Sequence, residues 1–134
     1  MLALNFELPI YWTQTYKTKP DKTSLVGMNF YRNAHYHAKN QLKKDLEQHL
    51  KDSFNGPYDK IIGQYVVHYT LYYKNPSCDA SNIIALSEKI FLDFIQDIDI
   101  VEQDSVKYHI SSSWEVAKQD KINPRVEITL KPKE

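Results

Sequence analysis

The chain has little of what organises several protein classes. Its one cysteine, Cys78, leaves no internal disulfide to staple the fold. Its three glycines, Gly27, Gly56 and Gly63, are scattered, so there is no Gly-rich phosphate loop. With 3 Gly and 6 Pro, a collagen-like sequence or a repeat array is excluded. No apolar run approaches the roughly 18 residues of a membrane span, and the start lacks the pattern of a secretory signal. A soluble, cytoplasmic protein without a membrane partner is the expectation. Net charge is missing too, since 17 Lys and Arg meet 17 Asp and Glu, which is not the balance of a uniformly basic coat for nucleic acid.

What is present fits one domain, residues 1–134, large enough for a real core. Apolar residues at 42% argue against disorder, and ten tyrosines with two tryptophans exceed what a minimal core needs, so some are expected to meet a ligand or partner. The zero net charge hides a polarity. Residues 1–76 hold 10 basic against 6 acidic side chains, and residues 77–134 hold 7 against 11.

Alternation predicts a first strand over 2–8, with Leu4, Phe6 and Leu8 on one side. Residues 11–33 are polar and basic with aromatics interleaved and show no clear period. A stretch that long inside a compact domain is either functional or holds an element not visible in the pattern. Ala38, Leu42, Leu46 and Leu50 recur every fourth residue, which predicts a half-buried helix over 34–54, capped by Asn33 and stopped by Asn55, Gly56 and Pro57. Ile61, Tyr65, Val67, Tyr69, Leu71 and Tyr73 predict a long strand buried on one face, and residues 80–96 a second helix. Two alternating runs, from Val106 and from Arg125, predict an antiparallel hairpin turning at 118–124. The order β, loop, α, β, α, β, β is an α+β domain with a mixed sheet and two helices packed on it.

Residues 78–104 contain Asp79, Glu88, Asp93, Asp97, Asp99, Glu102 and Asp104 against Lys89 alone. Carboxylates this dense repel one another unless a cation lies between them, and Mg²⁺ is held by a few carboxylates while keeping several waters. The alternative is a solvated helix and loop with Asp79 as an N-cap. Asn82, Lys89 and Asp93 share one helical stripe, Asp79 stands at the helix start, and Asp104 directly precedes a strand. A helix start and a sheet edge would then bring Asp79 and Asp104 together. Lys89 and Asp93 also fit an ordinary i,i+4 ion pair.

The run CDASNIIALSEKIFLDFIQDIDIVEQDSVKYHI, followed by RVEITLKPK, resembles the RusA-like Holliday junction resolvases of phages and prophages. Asp79 matches the first aspartate of their Asp-x-Asp-Asn signature and Asn82 its asparagine. Lys89 and Asp93 match the Lys-x-x-x-Asp pair, and Asp104 the second of the late acidic pair. Ser81 and Gln103 stand where the family has aspartates, and the helix between Asn82 and Lys89 is about four residues longer. The resemblance implies a homodimeric, Mg²⁺- or Mn²⁺-dependent endonuclease that resolves branched DNA in recombination and repair, in host cytoplasm if phage-encoded. In that scheme Asp79 and Asp104 hold metal, Glu88 or Asp93 completes the site, Lys89 stabilises charge on the phosphate, and Ser81 and Asn82 support. Lys17, Lys19, Lys22, Asn29, Tyr31, Arg32, Lys39 and Lys43 would hold DNA, with Tyr16, Phe30 and Tyr36 stacking on unpaired bases. The two missing aspartates leave a second possibility, a RusA-like protein that binds branched DNA or a protein partner without cutting. A third is an interaction domain whose acids only keep it soluble. His35, His37 and Cys78 do not make a zinc set, because histidines two apart on a helix point to different sides and no second cysteine exists. Cys78 with His68 carries no recognisable nucleophile signature.

Overall fold

The computed structural model describes residues 3–54, 56 and 58–133. It is one α+β domain with a mixed four-stranded sheet, a separate two-stranded sheet and three helices. In chain order the elements are β1 (Leu4–Pro9), β2 (Tyr11–Gln14), β3 (Lys22–Leu25), α1 (Met28–Asn33), α2 (Tyr36–Ser53), β4 (Tyr65–Tyr73), α3 (Ala80–Asp97), β5 (His109–Gln119) and β6 (Arg125–Pro132). No helix among the described residues is long and apolar enough to cross a membrane.

The main sheet has the order β1-β6-β4-β5. Its core face follows from alternation read across strands. Leu4, Leu130 and Val67 form one register row, Phe6, Ile128 and Tyr69 the next, and Leu8, Val126 and Leu71 the third. Against these rows pack Leu42, Leu46 and Leu50 of α2 and the apolar stripe of α3, including Ile84, Phe91, Phe94 and Ile95. The opposite face is polar. There Thr129 donates to Asn5 Oδ1 (3.1 Å), and His68 joins Ser113 (2.7 Å) and Glu115 (3.1 Å) across β4 and β5. His68 is thereby engaged at both ring nitrogens and tied to the neighbouring strand. Arg125 lies over the Tyr72 ring (4.1 Å) and bridges Asp120 (2.9 Å), Glu127 (3.0 Å) and Glu7 (3.7 Å).

Several expectations change. The last two strands do not form a hairpin: β5 runs parallel to β4, and β6 inserts between β1 and β4, antiparallel to both. The reason lies in composition. Val126, Ile128 and Leu130 give β6 an unbroken core-facing row suited to a central strand, whereas β5 brings three consecutive serines and little to bury. Gln119 and Asp120 are tied to the end of β4 through the Lys74 carbonyl (2.8 Å) and the Tyr73 carbonyl (2.7 Å). The chain then turns on Asp120, whose carboxylate accepts the N–H groups of Ile122 and Asn123, and passes to the other side of β4. The strand expected from Val106 begins instead at His109, and the strand expected from Ile61 begins at Tyr65.

Segment 11–33 holds the β2–β3 hairpin and the short helix α1, so the described residues form three helices rather than two. The helix expected over 34–54 starts at Tyr36, capped not by Asn33 but by His35, whose Nδ1 accepts the His37 N–H (3.3 Å). Trp12 anchors the hairpin as a buried residue of the core, its indole N–H donating to Asp45 Oδ2 (2.8 Å). Leu2 of the first strand and the expected helix stop at Asn55 and Pro57 lie outside the described residues.

Phe6 is the centre of an aromatic cluster, stacked on Phe54 (4.8 Å) and edge-on to Phe91 (5.0 Å) and Phe94 (6.3 Å). Phe6→Ala is expected to cost about 3–5 kcal/mol, read as a lower urea midpoint at unchanged slope. Thr129→Ala on the polar face is expected to stay within about 0.5 kcal/mol.

Candidate functional site

The start of α3 is built as the sequence predicts. Asp79 is the N-cap, and its Oδ1 accepts the Asn82 N–H (3.2 Å) and the Ser81 hydroxyl (3.0 Å). Asn82 has a further task. Its Oδ1 accepts the backbone N–H of Asn29 (2.8 Å), in the first turn of α1. Residue 27, the N-cap of α1, is a glycine and has no side chain to cap that turn. Asn82 supplies the missing acceptor from 53 positions away. Gly27 is required by closeness, since a Cβ there would run into the Asn82 side-chain amide and lie 3.1 Å from the Asn82 carbonyl oxygen.

The other end of α3 closes in a Schellman motif. The Asp99 N–H donates to the Gln96 carbonyl (3.1 Å) and the Ile100 N–H to the Ile95 carbonyl (2.9 Å), with Asp99 at φ 63° and Ile95 and Ile100 both buried. Aspartate tolerates this left-handed conformation better than most residues. Lys60 pairs with it (2.9 Å). Ile100 then accepts the Ile61 N–H (2.8 Å), and the Gln103 carbonyl accepts the Tyr65 hydroxyl (2.8 Å), so residues 100–104 are fastened near the start of β4.

These two ends fix where the acids lie. Asp79 is beyond the end of β4 at the N-terminus of α3, and Asp104 is beside Tyr65 at the beginning of β4, past the C-terminus of α3. An 18-residue helix lies between them, about 27 Å long. The expected convergence of Asp79 and Asp104 therefore does not occur. Asp104 also does not directly precede a strand, because β5 starts only at His109. Lys89 sits about 15 Å along the axis from Asp79, where it pairs with Asp93 (3.9 Å). Asp93 is shared with Lys43 of α2 (3.6 Å), so Lys43 belongs to an interhelical ion pair rather than to the free basic surface. Glu88 lies instead beside the buried Tyr69 hydroxyl, which has no partner in hydrogen-bonding geometry among the described residues. Burial, with Glu88 next, pushes that phenol well above its ordinary range.

Among the described residues, no three His, Cys, Asp or Glu side chains gather in a group suited to a metal ion. The donor set does not fit the Mg²⁺ site that the resemblance implies: its two principal carboxylates are a helix length apart, and one of them is occupied as a cap.

A different constellation does converge. Between the turn of the β2–β3 hairpin and the α1–α2 junction lies a cleft of about 500 Å³. Tyr16, Phe30 and His35 line it with ring surfaces, and Gln14, Asn29 and Asn33 with amides. Lys17, Lys19, Lys22 and Arg32 are exposed on the same segment. Lys19 stands 4.2 Å over the Tyr16 ring, and Lys39 5.1 Å over the Tyr31 ring. The rings of His35, Tyr36 and His37 continue this surface, with centroids 4.0 to 5.1 Å apart. Of the expected DNA-contacting residues, Asn29 lines the cleft, as do Tyr16 and Phe30 of the expected stacking residues, while Lys17, Lys19, Lys22, Tyr31, Arg32 and Lys39 lie on the same stretch of chain and are not among its lining residues. His35, Gln14 and Asn33 were not singled out by sequence as contact residues. The His35-Tyr36-His37 run beside a basic segment is a signal that could have found His35, which the sequence reading weighed only as a zinc ligand; Gln14 and Asn33 carry no such signal.

No protein-family model matches the chain, and no curated protein matches it.

Two outcomes are expected. Burial, with the charge of Asp104 second, pushes the Tyr65 phenol from 10.0 up to about 12. The unfolded chain loses that proton first, so the stability it contributes is complete below pH 10 and is lost as pH rises toward 12. Thermal melts of Tyr65→Phe across that alkaline range are expected to fall less steeply than those of the parent. Asn82→Ala removes the borrowed cap of α1 and is expected to cost about 1 kcal/mol in urea unfolding, while Gly27→Ala, which must displace Asn82, costs more.

Proposed function

We propose that this chain is a RusA-like protein that binds branched DNA through unpaired bases and does not cut it. The observation that carries this reading is the separation of Asp79 from Asp104 by the length of α3, alongside a ring- and amide-lined cleft bordered by cations. In this reading Lys17, Lys19, Lys22 and Arg32 meet phosphates, and a base exposed at a junction enters between Tyr16, Phe30 and His35. The amides of Gln14, Asn29 and Asn33 then offer donors and acceptors to its edge. The acidic second half repels the same phosphates and confines the nucleic acid to one side of the molecule. The setting is recombination or repair in a cytoplasm, with the protein acting as a homodimer.

The test is a labelled four-way junction incubated with the protein with and without Mg²⁺. The expected result is a salt-sensitive band shift with no nicks, weakened about 5- to 150-fold by Tyr16→Ala, in line with about 1–3 kcal/mol for one stacked base. Lys19→Ala is expected to lower the salt slope by about 1. Symmetric nicking that needs Mg²⁺ and disappears in Asp104→Asn would establish the resolvase instead. Absence of any shift would remove DNA as the partner.

A further inference from the structure

The aromatic cleft does not end at its own walls. Between β2 and α2 a second hollow of about 330 Å³ adjoins it, with Gln14 and Ala38 lining both. Ring surfaces in the second hollow come from Trp12 and His37, and Thr15 and Gln41 add polar groups. His35 and His37 thus stand on successive hollows, with their rings stacked at 5.1 Å between centroids. A third hollow of about 460 Å³ follows past Trp12, Thr13 and Asp45, and a fourth, past His49 and Asp52, reaches Glu7. The shared walls join the four into one groove, and its charge changes sign along the way. Cations border the first hollow, where Lys19 stands over the Tyr16 ring (4.2 Å). The second closes on Asp45, and the third and fourth add Asp52 and Glu7. Asp45 is bonded to uncharged partners, the Trp12 indole and the Gln41 amide (2.8 Å each), and Asp52 to the Gln48 amide (2.9 Å), so both keep their charge facing the track.

We propose that this groove holds a short single-stranded DNA end, two successive bases of which fill the first and second hollows, and that the carboxylates beyond them stop the strand there. The inference rests on the reading of the cleft as a DNA site and narrows its partner to DNA with a free single-stranded end. Ring walls bind base faces, and a base inside a duplex has both faces covered by its neighbours, so fully paired DNA offers these hollows little to stack. The second base is uncharged and sits against Asp45 without repulsion. The next phosphate would come within a Debye length, about 8 Å at physiological salt, of Asp45 and Asp52, and nothing gained by a third base offsets that repulsion. The groove therefore has a direction, with its open end at the lysines and its stop at Asp52 and Glu7.

The test is fluorescence anisotropy with dye-labelled duplexes carrying oligothymidine tails of zero, one, two, four and eight nucleotides. Affinity is expected to rise about 5- to 150-fold at each of the first two nucleotides and to level off by four. His37→Ala, at an exposed position, is expected to remove the second step and keep the first. Asp52→Lys, also exposed, is expected to leave circular dichroism unchanged and extend the rise to eight nucleotides. A rise that continues to eight in the parent, a second step that survives His37→Ala, or a plateau that Asp52→Lys does not move overturns this inference, while loss of the first step in Tyr16→Ala keeps the cleft as a DNA site. If Tyr16→Ala leaves every probe unchanged, the cleft reading falls and this one with it. An oligolysine peptide that displaces the tails and loses its binding in Asp52→Lys would make the groove a track for a basic protein segment and overturn the inference too.

Discussion

The parallel pairing of β4 with β5 is the constraint on which the rest of the molecule depends. Parallel neighbours cannot be joined by a tight turn, so the chain must travel back along the sheet before the second strand begins. Here α3 makes that return, antiparallel to β4, and its apolar stripe closes the core over Tyr65, Tyr69 and Leu71. Whatever precedes α3 is then at one end of the sheet, and whatever follows it is at the other. The Schellman turn at Asp99 and the bonds from Ile100 and Gln103 to the start of β4 hold the second end in place. Acids separated by about 25 residues in sequence are thereby kept a helix length apart in space.

The same helix organises the opposite pole. α1 has six residues, no buried side chain and no cap of its own, and so has little reason to form in isolation. Asn82 in the first turn of α3 provides its cap, and Trp12, bonded to Asp45, fastens the β2–β3 hairpin to α2. The cleft between Tyr16, Phe30 and His35 is a product of these two tethers. Asn82 thus acts as a strut for the aromatic and basic surface, a role unlike the metal support its place in the RusA-like pattern implies.

Legibility from sequence followed the range of the interactions. The span of α3 and its Asp79 cap were readable because propensity, apolar period and capping all act within a few residues. The body of α2 and the buried face of β4 were readable for the same reason. α1 was not, because its cap comes from Asn82, and the β2–β3 hairpin was not, because four-residue strands with mixed surfaces carry no clear period. The partner of β6 was misread because alternation tells which face of a strand is buried and says nothing about its neighbour. The placement of Asp104 was misread because the alternation from Val106 suggested a strand directly after it, whereas β5 starts only at His109 and residues 100–104 are fastened near the start of β4. The basic and aromatic character of 11–39 was visible in the residues, but the cleft depends on contacts between elements up to 53 positions apart.

The measurement that bears most directly on this account is the distance between the two ends of α3 in solution. Spin labels at Ser81→Cys and Asp104→Cys, in a Cys78→Ser background, allow it to be read by pulsed dipolar spectroscopy while Asp79 keeps its capping role. A distribution centred at or above about 25 Å, set by the length of the helix between the labels, is the expected result. A distribution below about 15 Å would mean that the acidic residues converge after all, and would return the metal-dependent nuclease to first place.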